Sequence, residues 1–129
     1  MEKTQVNPWS WQDLAGFSQA WKVDGAKSLL FISGQAPISA DGELVGEGDF
    51  EAQVEQTLDN LRTVLAEAGA SMSDIVKLTV FLTDISKLRD YSQIKSRYID
   101  GPQPASTALE VSALARPGMQ IEIEAIAAL

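Results

Sequence analysis

The chain has 129 residues, 45% of them hydrophobic and 22% charged, with no cysteine, no histidine and a formal net charge of −8. That is one domain's worth of chain, enough to bury a core unaided. The missing residue types exclude disulfides, thiol nucleophiles, histidine-based triads and cysteine or histidine metal sites. The acidic balance argues against general binding to a phosphate backbone, so no nucleic-acid partner is expected. No apolar run approaches the ~20 residues of a membrane helix, and Met1 to Gln5 carries no apolar signal core. A cytoplasmic protein without a membrane partner is expected.

Residues 1–129 read as one domain. Its first 15 residues, polar and aromatic without a period, read as part of an irregular or weakly stranded arm reaching to Ala20. Trp21–Val23 and Ser28–Ser33 flank Asp24-Gly25 and suggest a hairpin. Within it, Leu29 to Ile32 is a short apolar run suited to a buried strand. Residues 34–48 are rich in turn formers and read as loop. Asp49 to Ala68 is the clearest helix: Val54, Leu58, Leu61, Leu65 and Ala68 recur at helical spacing, with Asp49 at the N-cap and Gly69 after the end. Asp74 to Leu82 alternates as a strand does. Asp84 caps a second helix, Ile85 to Tyr98, with the stripe Leu88, Tyr91, Ile94 and Tyr98. Ala105–Val111 and Met119–Ala127 complete the set as strands. The order β-β-α-β-α-β-β, with right-handed crossovers, gives an α+β domain: a mixed sheet with both helices on one face. The other face still carries Leu, Val and Phe, and such a face points to self-association.

Four places hold candidate chemistry. Ser33-Gly34-Gln35 ends a buried strand, where glycine lets a ligand approach the backbone; it also reads as a plain strand exit. Gln120, Glu122 and Glu124 share one strand face, where a carboxylate beside a cleft can activate water, or where all three are simply solvated. Ser106 and Thr107 offer two hydroxyls, with no histidine to turn a serine into a nucleophile. Trp9, Trp11, Phe17 and Trp21 either line an apolar pocket or subunit boundary, or pack an arm onto the core. Asp49, Asp74 and Asp84 read as caps and turn residues, since their spacing matches no metal loop.

Several segments carry a resemblance: Gly16-Phe17-Ser18-Gln19-Ala20, Phe31-Ile32-Ser33-Gly34-Gln35, Gln56 to Leu61, Asp74 to Asp84, Pro104-Ala105, Glu110-Val111 and Ile121 to Ala127. In this order they resemble the reactive-intermediate deaminase (Rid), or YjgF-like, family, in older usage L-PSP endoribonuclease. The resemblance implies a chorismate-mutase-like fold and a homotrimer with an inner barrel and ligand clefts between subunits. It implies no cofactor and no metal. Deaminating members have Pro-Ala-Arg-Ser, whose arginine grips the carboxylate of a 2-imino or 2-enamino acid. Here that position is Ser106, and a hydroxyl does not replace a bidentate guanidinium. The family's usual tyrosine is Phe17 and its second-helix asparagine is Ser92, while Arg116 stands in a loop as a candidate substitute cation.

The resemblance therefore implies a homotrimer whose clefts are lined by Phe17, Ser33, Gly34, Gln35, Ser106, Thr107 and Glu122. Glu122 would be catalytic and the other six would bind substrate. The expected activity is hydrolysis of a small imine, enamine or related C–N substrate that does not depend on an α-carboxylate. The alternative is a small-molecule binder that kept the cleft and lost the chemistry. Ribonuclease activity follows only from the older family name, and the net charge and missing histidines argue against it.

Overall fold

The computed structural model describes residues 1–129. Strands β1 (Glu2–Val6) and β2 (Ala20–Asp24) form an antiparallel pair. The main sheet holds β3 (Leu29–Gln35), β4 (Ile75–Leu82), β5 (Ala105–Glu110) and β6 (Ile121–Ala128), in the spatial order β3-β6-β4-β5. Helix α1 (Phe50–Glu67) links β3 to β4, and α2 (Leu88–Lys95) links β4 to β5. Strands β4 and β5 are parallel, and β6 runs antiparallel to both β3 and β4. This is the mixed α+β sheet expected.

Both helices cover the same face, because the apolar residues of the strands and helices meet in one cluster. Val54, Leu58, Leu61 and Leu65 of α1 and Tyr91 and Ile94 of α2 pack with Leu78, Val80 and Leu82 of β4 and Ile121, Ile123 and Ala125 of β6. Each fully buried leucine contributes about 2 kcal/mol. The Asp49 carboxylate caps α1 by accepting from the Ala52 N–H at 3.1 Å. Gly69 leaves the helix at φ +77°, a conformation that favours glycine.

Three expectations need correction. Gly25 does turn, at φ +70°, but β2 pairs with β1 and not with β3, so the hairpin around Asp24-Gly25 does not form. Turn chemistry fixes where a chain reverses, not which strand takes the free edge. The arm is correspondingly more regular than its composition suggests, since β1 is a polar, mostly exposed strand held by backbone pairing. The second helix is also shorter: Asp84 opens a 3₁₀ turn at Ile85–Lys87, and the α-helix proper ends at Lys95.

Two buried or half-buried amides tie the loops to this frame. Gln53, fully buried on α1, donates to the carbonyls of Gly46 (3.1 Å) and Gly118 (2.8 Å) and accepts from the Gln120 N–H (2.8 Å). It thereby sets the entrance to β6. Asn60 donates to the carbonyls of Ala36 and Ile38, both at 2.8 Å, and fixes the exit from β3. Gln53→Ala leaves the Gly118 carbonyl and the Gln120 N–H unpaired, while the Gly46 carbonyl keeps the Asp49 N–H, and is expected to cost about 2–4 kcal/mol, read from urea denaturation. Gln56→Ala, whose side chain bonds only Asn60, is the mild control on the same helix.

Candidate functional site

The pleat of the sheet decides where each candidate side chain can act. On β6, Ile121, Ile123, Ala125 and Ala127 are buried toward the helices, so Glu122 and Glu124 point to the opposite, open face. Register places Glu122 beside Phe81 of β4, and Phe81 beside Leu109 of β5. The next row is Glu124, Thr79 and Thr107. Lys77 donates to the Thr107 hydroxyl at 2.7 Å. The open face keeps Phe31 71%, Leu29 55% and Leu109 37% exposed.

Glu122 owes its position to a bulge. Between the pairs Ile32–Ala125 and Gln35–Ile123, β3 advances three residues while β6 advances two. The extra residue falls at Ser33-Gly34, and such bulges re-aim side chains. The Glu122 side chain lies directly over Gly34: a Cβ there would stand 2.7 Å from its carboxyl carbon and 2.9 Å from its Cγ. Only glycine admits the carboxylate at this place. Gln35 folds back on its own strand, its amide donating to the Ser33 carbonyl at 3.1 Å.

Ser106 lies on the other side of the sheet. Its register partner is the fully buried Leu78, so its side chain faces the helices and lines a cavity of about 260 Å³ with Phe17, Leu88, Tyr91, Ser92 and Lys95. Phe17 is set there by its neighbour Ser18, whose N–H donates to the Pro104 carbonyl (3.0 Å) and whose hydroxyl donates to the Gln103 carbonyl (2.5 Å). Trp11 packs edge-on against Phe17 at 5.8 Å and stacks with Trp9 at 6.5 Å. Both tryptophans are about 60% exposed, which sets aside core packing for this part of the arm.

The structure thus brings Gly34 together with Glu122, and Phe17 together with Ser106, but separates these two groups by the sheet itself. Ser106 and Thr107 are not a hydroxyl pair: consecutive strand residues face opposite ways, and Thr107 belongs to the open face. Arg116 is not the cation of the Ser106 cavity. Its guanidinium donates to the Gly42 carbonyl at 2.6 Å from an exposed loop and does not line that cavity.

A different cation does. Lys95 is 3% exposed, and its ammonium has one hydrogen bond, to the Gly16 carbonyl at 2.8 Å. Burial lowers its pKa to about 8. The Tyr91 hydroxyl, one helical turn away, is fully buried without a partner, and burial raises its pKa. Neither residue stood out as a site in the sequence, although the α2 stripe contains the signal. Lys95 follows Leu88 by seven residues and Tyr91 by four, which places a lysine on the apolar side of an amphipathic helix.

The comparisons with known proteins agree with this fold. The family model described as Endoribonuclease L-PSP matches residues 10–129, and the chain belongs to that family, the Rid proteins. It is 40% identical over 111 residues to Protein DfrA of Myxococcus xanthus, covering 86% of this chain and 83% of the relative. A mouse relative named 2-iminobutanoate/2-iminopropanoate deaminase is 39% identical over 112 residues, 86% of this chain and 79% of that one. The crystal structure of YyfB, a Rid-family protein of Yersinia pestis, superposes with a TM-score of 0.91 at 36% identity over the whole of both chains. No helix is long and apolar enough to cross a membrane.

Lys95 gives the fold a pH signature. Its charged form is disfavoured on folding, so the unfolded chain, near the usual 10.4, holds this proton more tightly than the native one. Stability therefore rises with pH between about 8 and 10. From pH 7.5 to 9.5 the gain should be about 2 kcal/mol in urea denaturation. Lys95→Met should remove that slope.

Proposed function

We propose that the protein is a homo-oligomeric Rid-family hydrolase of small C–N substrates, a trimer on the family pattern, whose clefts form where copies meet. The observation that carries this reading is the Glu122 carboxylate laid over the Gly34 bulge on the apolar face that no helix covers. A carboxylate so placed in one chain cannot reach the Phe17 and Ser106 cavity of the same chain. A second copy seated on the open face supplies what is missing, and Leu29, Phe31 and Leu109 give it apolar area to bury.

In this cleft Glu122 takes a proton from water as the oxygen attacks the carbon of an imine C=N bond. The nitrogen accepts a proton, and the carbinolamine then expels ammonia and leaves a carbonyl compound, so one water is consumed per ammonia released. Ser33, Gly34 and Gln35 orient the substrate beside Glu122, while Phe17, Ser106 and Thr107 line the remainder of the cleft. The deaminase name of the mouse relative supports this reaction class. With Ser106 where deaminating members have arginine, recognition does not use a two-pronged grip on an α-carboxylate.

With 2-iminobutyrate or 2-aminoacrylate supplied, ammonia release is expected, slower than in arginine-bearing members; equal rates would defeat the argument from Ser106. Glu122→Gln should lower turnover at least 100-fold with ligand affinity retained. Gly34→Ala, which displaces the carboxylate, should lower turnover to a similar degree in a folded protein. A wild-type protein that binds ligand without turnover, and is unchanged by Glu122→Gln, would instead be the non-catalytic binder. Light scattering should report a trimer.

A further inference from the structure

Of the six lysines in the chain, only Lys95 is buried. It lies on one stripe of α2 with Leu88, Tyr91 and Ser92, spaced as a single helix face requires, and all four line the cavity of about 260 Å³. Its amino group reaches the Gly16 carbonyl at 2.8 Å. The two neighbours of that glycine, Ala15 and Phe17, line the same cavity. The tip of the side chain is therefore set at the cavity wall, and no acidic side chain lines that cavity. The bond to Gly16 needs one N–H and no charge, so an amide would hold the same carbonyl without desolvating an ion. What a lysine adds is a lone pair. Burial brings its pKa to about 8. Near that pH about half of the molecules carry the free amine, against about one in 250 for an ordinary exposed lysine. Desolvation in an apolar pocket is one of the ways a lysine becomes a nucleophile.

We infer that Lys95 is the nucleophile of a Schiff-base site for small aldehydes and ketones. The amine lone pair attacks the carbonyl carbon. The C–N bond forms as the C=O electron pair moves to oxygen, which takes up the proton that nitrogen loses. Loss of water from this carbinolamine leaves a C=N bond between Lys95 and the ligand. One water is released per imine formed, and nothing is oxidised or reduced. A free amine keeps two N–H groups, so the Gly16 bond and the attacking lone pair do not compete. Phe17, Leu88 and Ala108 wall the space and suit a short aliphatic body. The site lies within one chain and goes beyond the hydrolase reading, since it needs neither Glu122 nor a second copy. Where an imine enters in place of a carbonyl compound, the same attack exchanges its nitrogen for that of Lys95 and releases ammonia. Water then returns the amine and frees the carbonyl compound.

The test supplies butanal and cyanoborohydride to the full-length protein at pH 8. Cyanoborohydride reduces the imine to a secondary amine, which peptide mass mapping locates. Lys95 should be alkylated about tenfold faster than any of the other five lysines. In concentrated urea, where burial is lost, that preference should vanish. Lys95→Met should lose the fast alkylation. Glu122→Gln should keep it while losing turnover, so a failure of hydrolysis and a failure of imine formation are seen separately. Native protein alkylated only at its exposed lysines, or Lys95 labelled no faster than they are, would overturn the inference. The mapping reads the wild type, so it decides the matter even where Lys95→Met does not fold.

Discussion

Two helices suffice to cover one face of a four-stranded sheet, and everything functional in this chain follows from that constraint. The core side takes the large fully buried strand residues Leu78, Val80, Leu82, Ile121 and Ile123. Alternation then leaves each remaining side chain only one other direction. Glu122 is driven to the open face because Ile121 and Ile123 are needed in the core. Ser106 is driven to the helix side because its register partner is Leu78. A sheet separates the carboxylate from the cavity, and no side-chain rotation brings them together. A cleft using both must be completed by another copy of the chain, and the apolar area that would hold that copy lies on the same face as the carboxylate.

The helix-side architecture was legible in the sequence because it is written in period. Val54, Leu58, Leu61 and Leu65 repeat with the pitch of α1, and Val76 to Leu82 alternates with the pleat of β4. Pairing partners were not legible. Asp24-Gly25 turns the chain, yet which strand lies beside β2 depends on β1, whose sequence Glu2-Lys3-Thr4-Gln5-Val6 has almost no apolar content to announce a strand. The candidate site was half legible for a related reason. Gly34 and Glu122 could be named individually, but the bulge that sets one over the other depends on hydrogen-bond register between β3 and β6, which has no local signature. Ser106 and Thr107 are adjacent in sequence, and in a strand adjacency is what sends them to opposite faces.

Lys95 shows the opposite failure, in which a signal was present and was absorbed by the pattern around it. In a helix with polar Arg89, Asp90 and Gln93 exposed, one more charged residue near the end reads as solvated. Its position relative to Tyr91 and Leu88 says otherwise, and the segment around Gly16 closes over it with a carbonyl. Long basic side chains usually carry their charge out to water. Here the charged end is the buried part.

That burial has a cost which packing alone does not explain. Replacing Lys95 by a methionine of similar length would fill the same space without desolvating a charge, and isosteric apolar residues in place of buried ions are commonly neutral or stabilising. A fold selected for stability alone would not retain a buried ammonium without an acidic partner next to an unpaired phenol. Groups that destabilise a native state in this way belong to the trade between stability and function.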